Sequence, residues 1–137
     1  MRIRRMRSTG RSICLIFAVC CAAVLPSSGQ QIVTQPVTTF VHGTTVNSLR
    51  FSGDGKRLLT GGNDGLARLW DVGSGLEILT FEHRAKIHSV DLSPDHAFAL
   101  TAGADGKAVL WDIETGDRVR GFSGHRSDVL SVRFSPD

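Results

Sequence analysis

Beyond residue 21 the sequence contains no cysteine. All three, Cys14, Cys20 and Cys21, lie near the N-terminus of the 137-residue chain. A chain cut behind them has no disulfide, no thiolate-held metal and no cysteine nucleophile, so its core alone must hold it. Four prolines are too few for a collagen-like or proline-rich disordered chain. No apolar run is long enough to span a membrane. The run 13–25 has thirteen residues; at ~1.5 Å each it covers about 20 Å of a hydrocarbon core roughly 30 Å thick. Also missing are a metal motif, a nucleophile elbow and a glycine-rich phosphate loop behind a strand.

The first eleven residues carry Arg2, Arg4, Arg5, Arg7 and Arg11 and no acid. The short apolar run follows, then Pro26-Ser27-Ser28-Gly29. A cationic start, an apolar stretch of that length and a small-residue exit read as a secretory signal peptide over residues 1–29, and a retained anchor fits less well. Cys20 and Cys21 read as ordinary residues of the apolar stretch, not as a lipid-attachment site, because the run continues past both. The formal charge of +3 belongs to this segment. Without its five arginines, eleven basic residues face thirteen acidic ones, a net of −2 over 108 residues. No basic stripe with interleaved aromatics remains, which argues against nucleic acid as a partner. The expected location is exported, periplasmic or secreted, with no membrane contact after cleavage.

The remainder is periodic. Trp70-Asp71 recurs as Trp111-Asp112, an offset of 41 that also maps Phe40 onto Phe81 and Phe122. The same offset carries His42 onto His83, Thr60 onto Thr101, and Asp64-Gly65 onto Asp105-Gly106. After the extra Gly124, residues such as His125, Val129 and Phe134 follow at 42. Each unit reads as four short strands with turn residues every 8–12 positions. The first unit has strands at 46–51, 57–61, 66–72 and 77–81; the second has them at 87–92, 98–102, 107–113 and 118–122, and a strand at 129–134 opens a third. Asn63-Asp64-Gly65 and Ala104-Asp105-Gly106 are hairpin turns. Gly55 and, in its place, His96 are expected to take left-handed backbone. Apolar residues on both strand faces predict small antiparallel sheets covered on both sides.

With Leu58-Leu59-Thr60-Gly61-Gly62-Asn63-Asp64, Leu69-Trp70-Asp71, Gly124-His125 and Phe134-Ser135-Pro136-Asp137, the chain resembles the WD-repeat β-propeller family over residues 35–137. Val41-His42 and Glu82-His83 depart from the family's Gly-His pair. The resemblance implies an all-β propeller fragment of two four-stranded blades, an orphan outer strand, and one strand of a third blade. The expected organisation is signal peptide 1–29, linker and orphan strand 30–41, first repeat 42–82, second repeat 83–124, and the start of a third at 125–137. It further implies a hydrogen-bonded tetrad in each blade: His42, Thr60, Asp64 and Trp70, then His83, Thr101, Asp105 and Trp111. The chemistry is consistent, because a buried indole N–H can only donate and needs an acceptor such as a hydroxyl. A His–Asp–Thr set recurring once per blade reads as structural, not as a hydrolase triad. No metal or cofactor is expected.

Propellers close with about four to eight blades. Two units and a strand therefore read as the N-terminal piece of a longer exported propeller. Residues 30–137 alone are expected to self-associate through open blade faces or to fold poorly. The function implied by the resemblance is a protein-interaction scaffold without catalysis. Its candidate contacts just after each repeat's His are Thr45, Asn47, Arg84, Lys86, His88, Arg126 and Asp128. The alternative is the propeller portion of a larger exported enzyme whose catalytic part lies elsewhere; a nonfunctional remnant is a third reading.

Overall fold

A computed structural model describes residues 15–18 and 38–136. The expected signal peptide lies outside the described residues except for β1 (Leu15–Ala18), which pairs antiparallel with β2 (Thr38–Val41). Two four-stranded antiparallel sheets follow. The first consists of β3 (Val46–Phe51), β4 (Arg57–Gly62), β5 (Leu66–Asp71) and β6 (Glu77–Glu82) in sequence order. The second repeats it with β7 (Ile87–Leu92), β8 (Phe98–Gly103), β9 (Ala108–Asp112) and β10 (Arg118–Phe122). The described residues are therefore all β, in two up-and-down blades.

Local chemistry sets the turns. Ser52 Oγ donates to Asp54 Oδ1 at 2.6 Å and accepts from Arg57 N–H at 2.9 Å, closing the β3–β4 turn. Ser93, Asp95 and Phe98 repeat this arrangement between β7 and β8. Gly55 (φ 70°) and His96 (φ 62°) both take the left-handed conformation expected of that turn position. Asp71 and Asp112 accept backbone N–H bonds from Ser74 and from Glu114 and Thr115, and so hold the β5–β6 and β9–β10 turns.

The main core lies between the blades. Leu59, Ala67, Leu69 and Phe81 of the first sheet meet Ile87, Val90, Leu92, Ala99, Val109, Trp111 and Ile113 of the second. Each large side chain buried there contributes ~1.5–3 kcal/mol of transfer free energy. Gly61 permits the close approach: a Cβ there would stand 2.6 Å from Ile87 Cγ2 and 2.7 Å from Val90 Cγ1.

β2 sits on the other face of the first blade. Its Phe40 is fully buried against Leu58 and Trp70, with ring centroids 5.7 Å apart. Phe81 of β6 meets Trp111 of the second blade at 5.6 Å. β2 therefore stands to the first blade as β6 stands to the second, in the position of an outer strand from a preceding blade. Residues 35–37 of the expected orphan strand lie outside the described residues.

The third unit differs from expectation. Residues 129–134 form no ladder, because a strand needs a paired neighbour and no second strand of that unit is among the described residues. The segment is still fastened to the second blade. Val129 N–H donates to Gly103 O at 3.0 Å, Val132 N–H to Ser89 Oγ at 3.2 Å, and Phe134 N–H to Asp91 Oδ2 at 2.8 Å. Val129 and Val132 cover Ala102 and Ala108.

Candidate functional site

In the second blade the four tetrad residues form one chain of contacts. Trp111 Nε1–H donates to Thr101 Oγ1 at 2.9 Å. His83 Nδ1 lies 2.8 Å from the same oxygen, and His83 Nε2 lies 3.2 Å from Asp105 Oδ1. Burial holds the His83 imidazole below its ordinary pKa of 6.5, against the opposing pull of Asp105. For the neutral ring the pattern assigns the proton to Nε2, facing Asp105, while Nδ1 accepts from the Thr101 hydroxyl. Thr101 is wholly buried and both its donor and acceptor capacity are used. It cannot attack a substrate.

The first blade is wired differently. Trp70 Nε1–H donates to Thr60 Oγ1 at 2.8 Å, as its counterpart does. His42, however, faces Arg68: Nη1 lies 3.1 Å from both ring nitrogens and donates to Asp64 Oδ2 at 2.9 Å. Arg68 thus stands between His42 and Asp64, and the expected continuous tetrad is replaced by a charged cluster that also includes Glu77 Oε2 at 3.5 Å. Burial and the Arg68 charge lower the His42 pKa; Asp64 and Glu77 oppose them. The repeat equivalent of Arg68 is Val109, which has no group to offer. A lone cation at a position otherwise apolar was the sequence signal for this difference.

The candidate contact residues divide into two groups. Asn47 and His88 occupy equivalent bulges, where β3 and β7 slip one residue against their partners. A bulge re-aims a side chain. Asn47 Nδ2 donates to Ile87 O at 2.8 Å and to Asn63 Oδ1 at 2.7 Å, and His88 Nε2 lies 2.9 Å from Asp128 Oδ2. Asn47, His88 and Asp128 therefore tie one unit to the next. Thr45, Arg84, Lys86 and Arg126 are exposed at the same end of the blades.

Sequence reasoning missed further inter-unit contacts. Val90 N–H donates to Ser48 Oγ at 3.1 Å, one repeat before the Val132–Ser89 bond. Asp91, 2% exposed, lies between Arg50 Nε at 2.8 Å and the Phe134 N–H. Ser48 and Ser89 do recur at the repeat offset, which was the available clue. No group of three or more potential metal ligands occurs among the described residues.

Stacked antiparallel sheets of four strands, each with a buried Trp–Thr bond at the same place, define a propeller-type repeat protein. The family profile described as WD domain, G-beta repeat matches residues 34–71, 75–112 and 116–137, and the chain belongs to the WD40 repeat family. The first two matches each run from an outer-strand segment through the third strand of the following unit, which agrees with the seating of β2 and β6 on the next blade, and the third begins at the outer-strand segment of β10. A search of curated proteins finds no match. WD40 repeats generally mediate protein interactions.

Proposed function

We propose that the chain is part of an exported, non-catalytic scaffold that binds protein partners through the loops at the ends of its blades. The observation that carries the reading is the internal use of its reactive groups. Thr101 is closed between Trp111 and His83, and Thr60 is fully buried beneath Trp70. What faces solvent instead is a set of loops on a rigid, densely hydrogen-bonded frame, the arrangement from which scaffolds recognise partners. Export is proposed from the arginine-rich start and the short apolar run.

Two experiments test this. A photoreactive residue is placed singly at Thr45, Lys86 and Arg126 of the full chain, with Lys56 at the opposite blade end as comparison. Discrete protein adducts from a loop position support the scaffold; an absence of adducts from all four defeats it. Residues 1–34 fused to a reporter enzyme that matures only after export are expected to yield activity. Reporter held in the cytoplasm would remove the export proposal.

A further inference from the structure

The loops at the end of the second blade, unlike those of the first, are cationic. The loop that carries Gly43 and Thr45 in the first unit carries Arg84 and Lys86 in the second. The hairpin position of Leu66 is taken by Lys107, and the third unit places Arg126 where the second has Arg84. Backbone contacts bring these segments side by side. A Cβ on Gly65 would stand 3.0 Å from Ala85 N, and one on Gly106 would stand 2.9 Å from His125 O. Lys86 O accepts from Ala104 N–H at 2.9 Å. The loop 84–86 is therefore wedged between the hairpins of both blades, and the loop of Arg126 lies against the second hairpin.

The carboxylates at this end are largely engaged by partners of their own. Asp64 holds Arg68, Asp105 faces His83 at 3.2 Å with Lys107 at 3.8 Å, and Asp128 faces His88 at 2.9 Å. Glu82 reaches Arg84 only at 3.6 Å, with the Arg84 side chain 81% exposed. Among the described residues neither Lys86 nor Arg126 has an ion-pair partner.

Arg84 adds an independent observation. It stands at φ 69°, the left-handed region, where its equivalent Gly43 (φ 74°) sits without strain. A side chain with a Cβ is disfavoured there, and this one lies in solvent, where packing gives no compensation. Neither packing nor backbone preference accounts for an arginine at that position, and its one anionic neighbour, Glu82, is itself exposed and 3.6 Å away. Resting on the scaffold reading, we infer that the Arg84–Lys86–Lys107–Arg126 row is the docking surface for an acidic segment of a partner protein. The lack of a stacking aromatic in the row favours an acidic peptide over a nucleic acid.

The test measures fluorescence anisotropy of a labelled dodecapeptide of four Glu-Glu-Ser repeats with the full chain at low and moderate salt. Binding that weakens with salt is expected. Arg84→Gly is expected to weaken it about threefold, and the triple variant Arg84→Gly, Lys86→Ser, Arg126→Ser by roughly tenfold or more, at exposed-pair strengths. Lys56→Ser, at the opposite blade end, leaves binding unchanged. Arg84→Gly is also expected to raise the Tm, a gain of stability coupled to a loss of binding that no purely structural role produces. Unchanged binding in the triple variant, a lowered Tm in Arg84→Gly, or tighter binding of a twelve-nucleotide oligothymidine would each overturn the inference. Protein adducts at Lys86 or Arg126 without binding of the acidic probe would sink this inference and leave the scaffold standing; loss of both would end both.

Discussion

Replacing Thr101 by valine should cost distinctly more than replacing Thr60, although the two threonines are equivalent in the repeat. Valine has nearly the shape of threonine, so the change deletes a hydroxyl without opening a cavity. In the second blade it strands two buried groups, the Trp111 Nε1–H that donates at 2.9 Å and the His83 Nδ1 held at 2.8 Å. A buried polar group left without a partner costs ~1–3 kcal/mol, so Thr101→Val should destabilise by about 2–6 kcal/mol. In the first blade His42 is served by Arg68, and only the Trp70 N–H loses its acceptor, a cost of about 1–3 kcal/mol. The Thr60 hydroxyl, with no imidazole to serve, donates to Arg68 O at a long 3.3 Å, a weak bond whose loss narrows the difference slightly, whereas the Thr101 proton is committed to His83 and only passes Val109 O at 3.5 Å. The expected difference is about 1–2 kcal/mol. Urea unfolding at pH 7.5, followed by tryptophan fluorescence at low micromolar concentration, measures it. Trp111→Phe supplies the cycle: in that background Thr101→Val should cost less, because no indole N–H remains to be stranded. Equal costs for the two valine variants, or a greater cost for Thr60→Val, would refute the assignment of different wiring to the two blades.

Acidification should destabilise the fold through its two buried imidazoles. Both His42 and His83 are held below 6.5 in the folded chain, so the unfolded chain binds more protons there; stability is full above about pH 6.5 and is lost as pH falls toward the depressed folded values. In Arg68→Val the His42 share of this slope should shrink, read from urea midpoints between pH 7.5 and 5, and an unchanged slope would count against the His42–Arg68 contact. Gly103→Ala should cost roughly 1–3 kcal/mol in the same assay, because the new Cβ would stand 2.6 Å from Lys86 O, a backbone atom that cannot swing aside. Residues 30–137 alone should sediment as a concentration-dependent oligomer, with Phe122 of β10 45% exposed and Leu130 of the third unit 70% exposed. A monodisperse monomer with a cooperative melt would contradict that expectation.

Much of the blade architecture was legible because it is local. Turn residues such as Asp54, Gly55, Asp71 and Asp112 act within five positions of themselves, and strand alternation acts within two. The left-handed backbone at His96 could be read from Gly55 because Ser52 and Asp54, which bond the turn, recur as Ser93 and Asp95. The exposed Ile78 and Val119 were less legible. Each is the residue skipped where the outer strand slips against the third strand, and bulge position depends on how two strands meet. The strand expected at 129–134 did not form as a ladder for a related reason: its apolar pattern is intrinsic, but its hydrogen bonds belong to a neighbour.

The sequence by itself determined the repeat, its period, the order of strands and turns, and the equivalence of His42 with His83 and of Thr60 with Thr101. It could not determine that equivalent residues have different partners. His42 and Arg68 are 26 residues apart, and whether they touch depends on how β2 and β5 pack. Asn47 and His88 appeared as loop contacts, whereas in the packed blades their side chains, exposed and half-buried, reach across to bind the next unit. Periodicity specifies which residues share an address within a blade. Only the packing of one blade on another decides which side chains those addresses bring within 3 Å, because hydrogen bonds and ion pairs fall away over distances that sequence spacing does not measure.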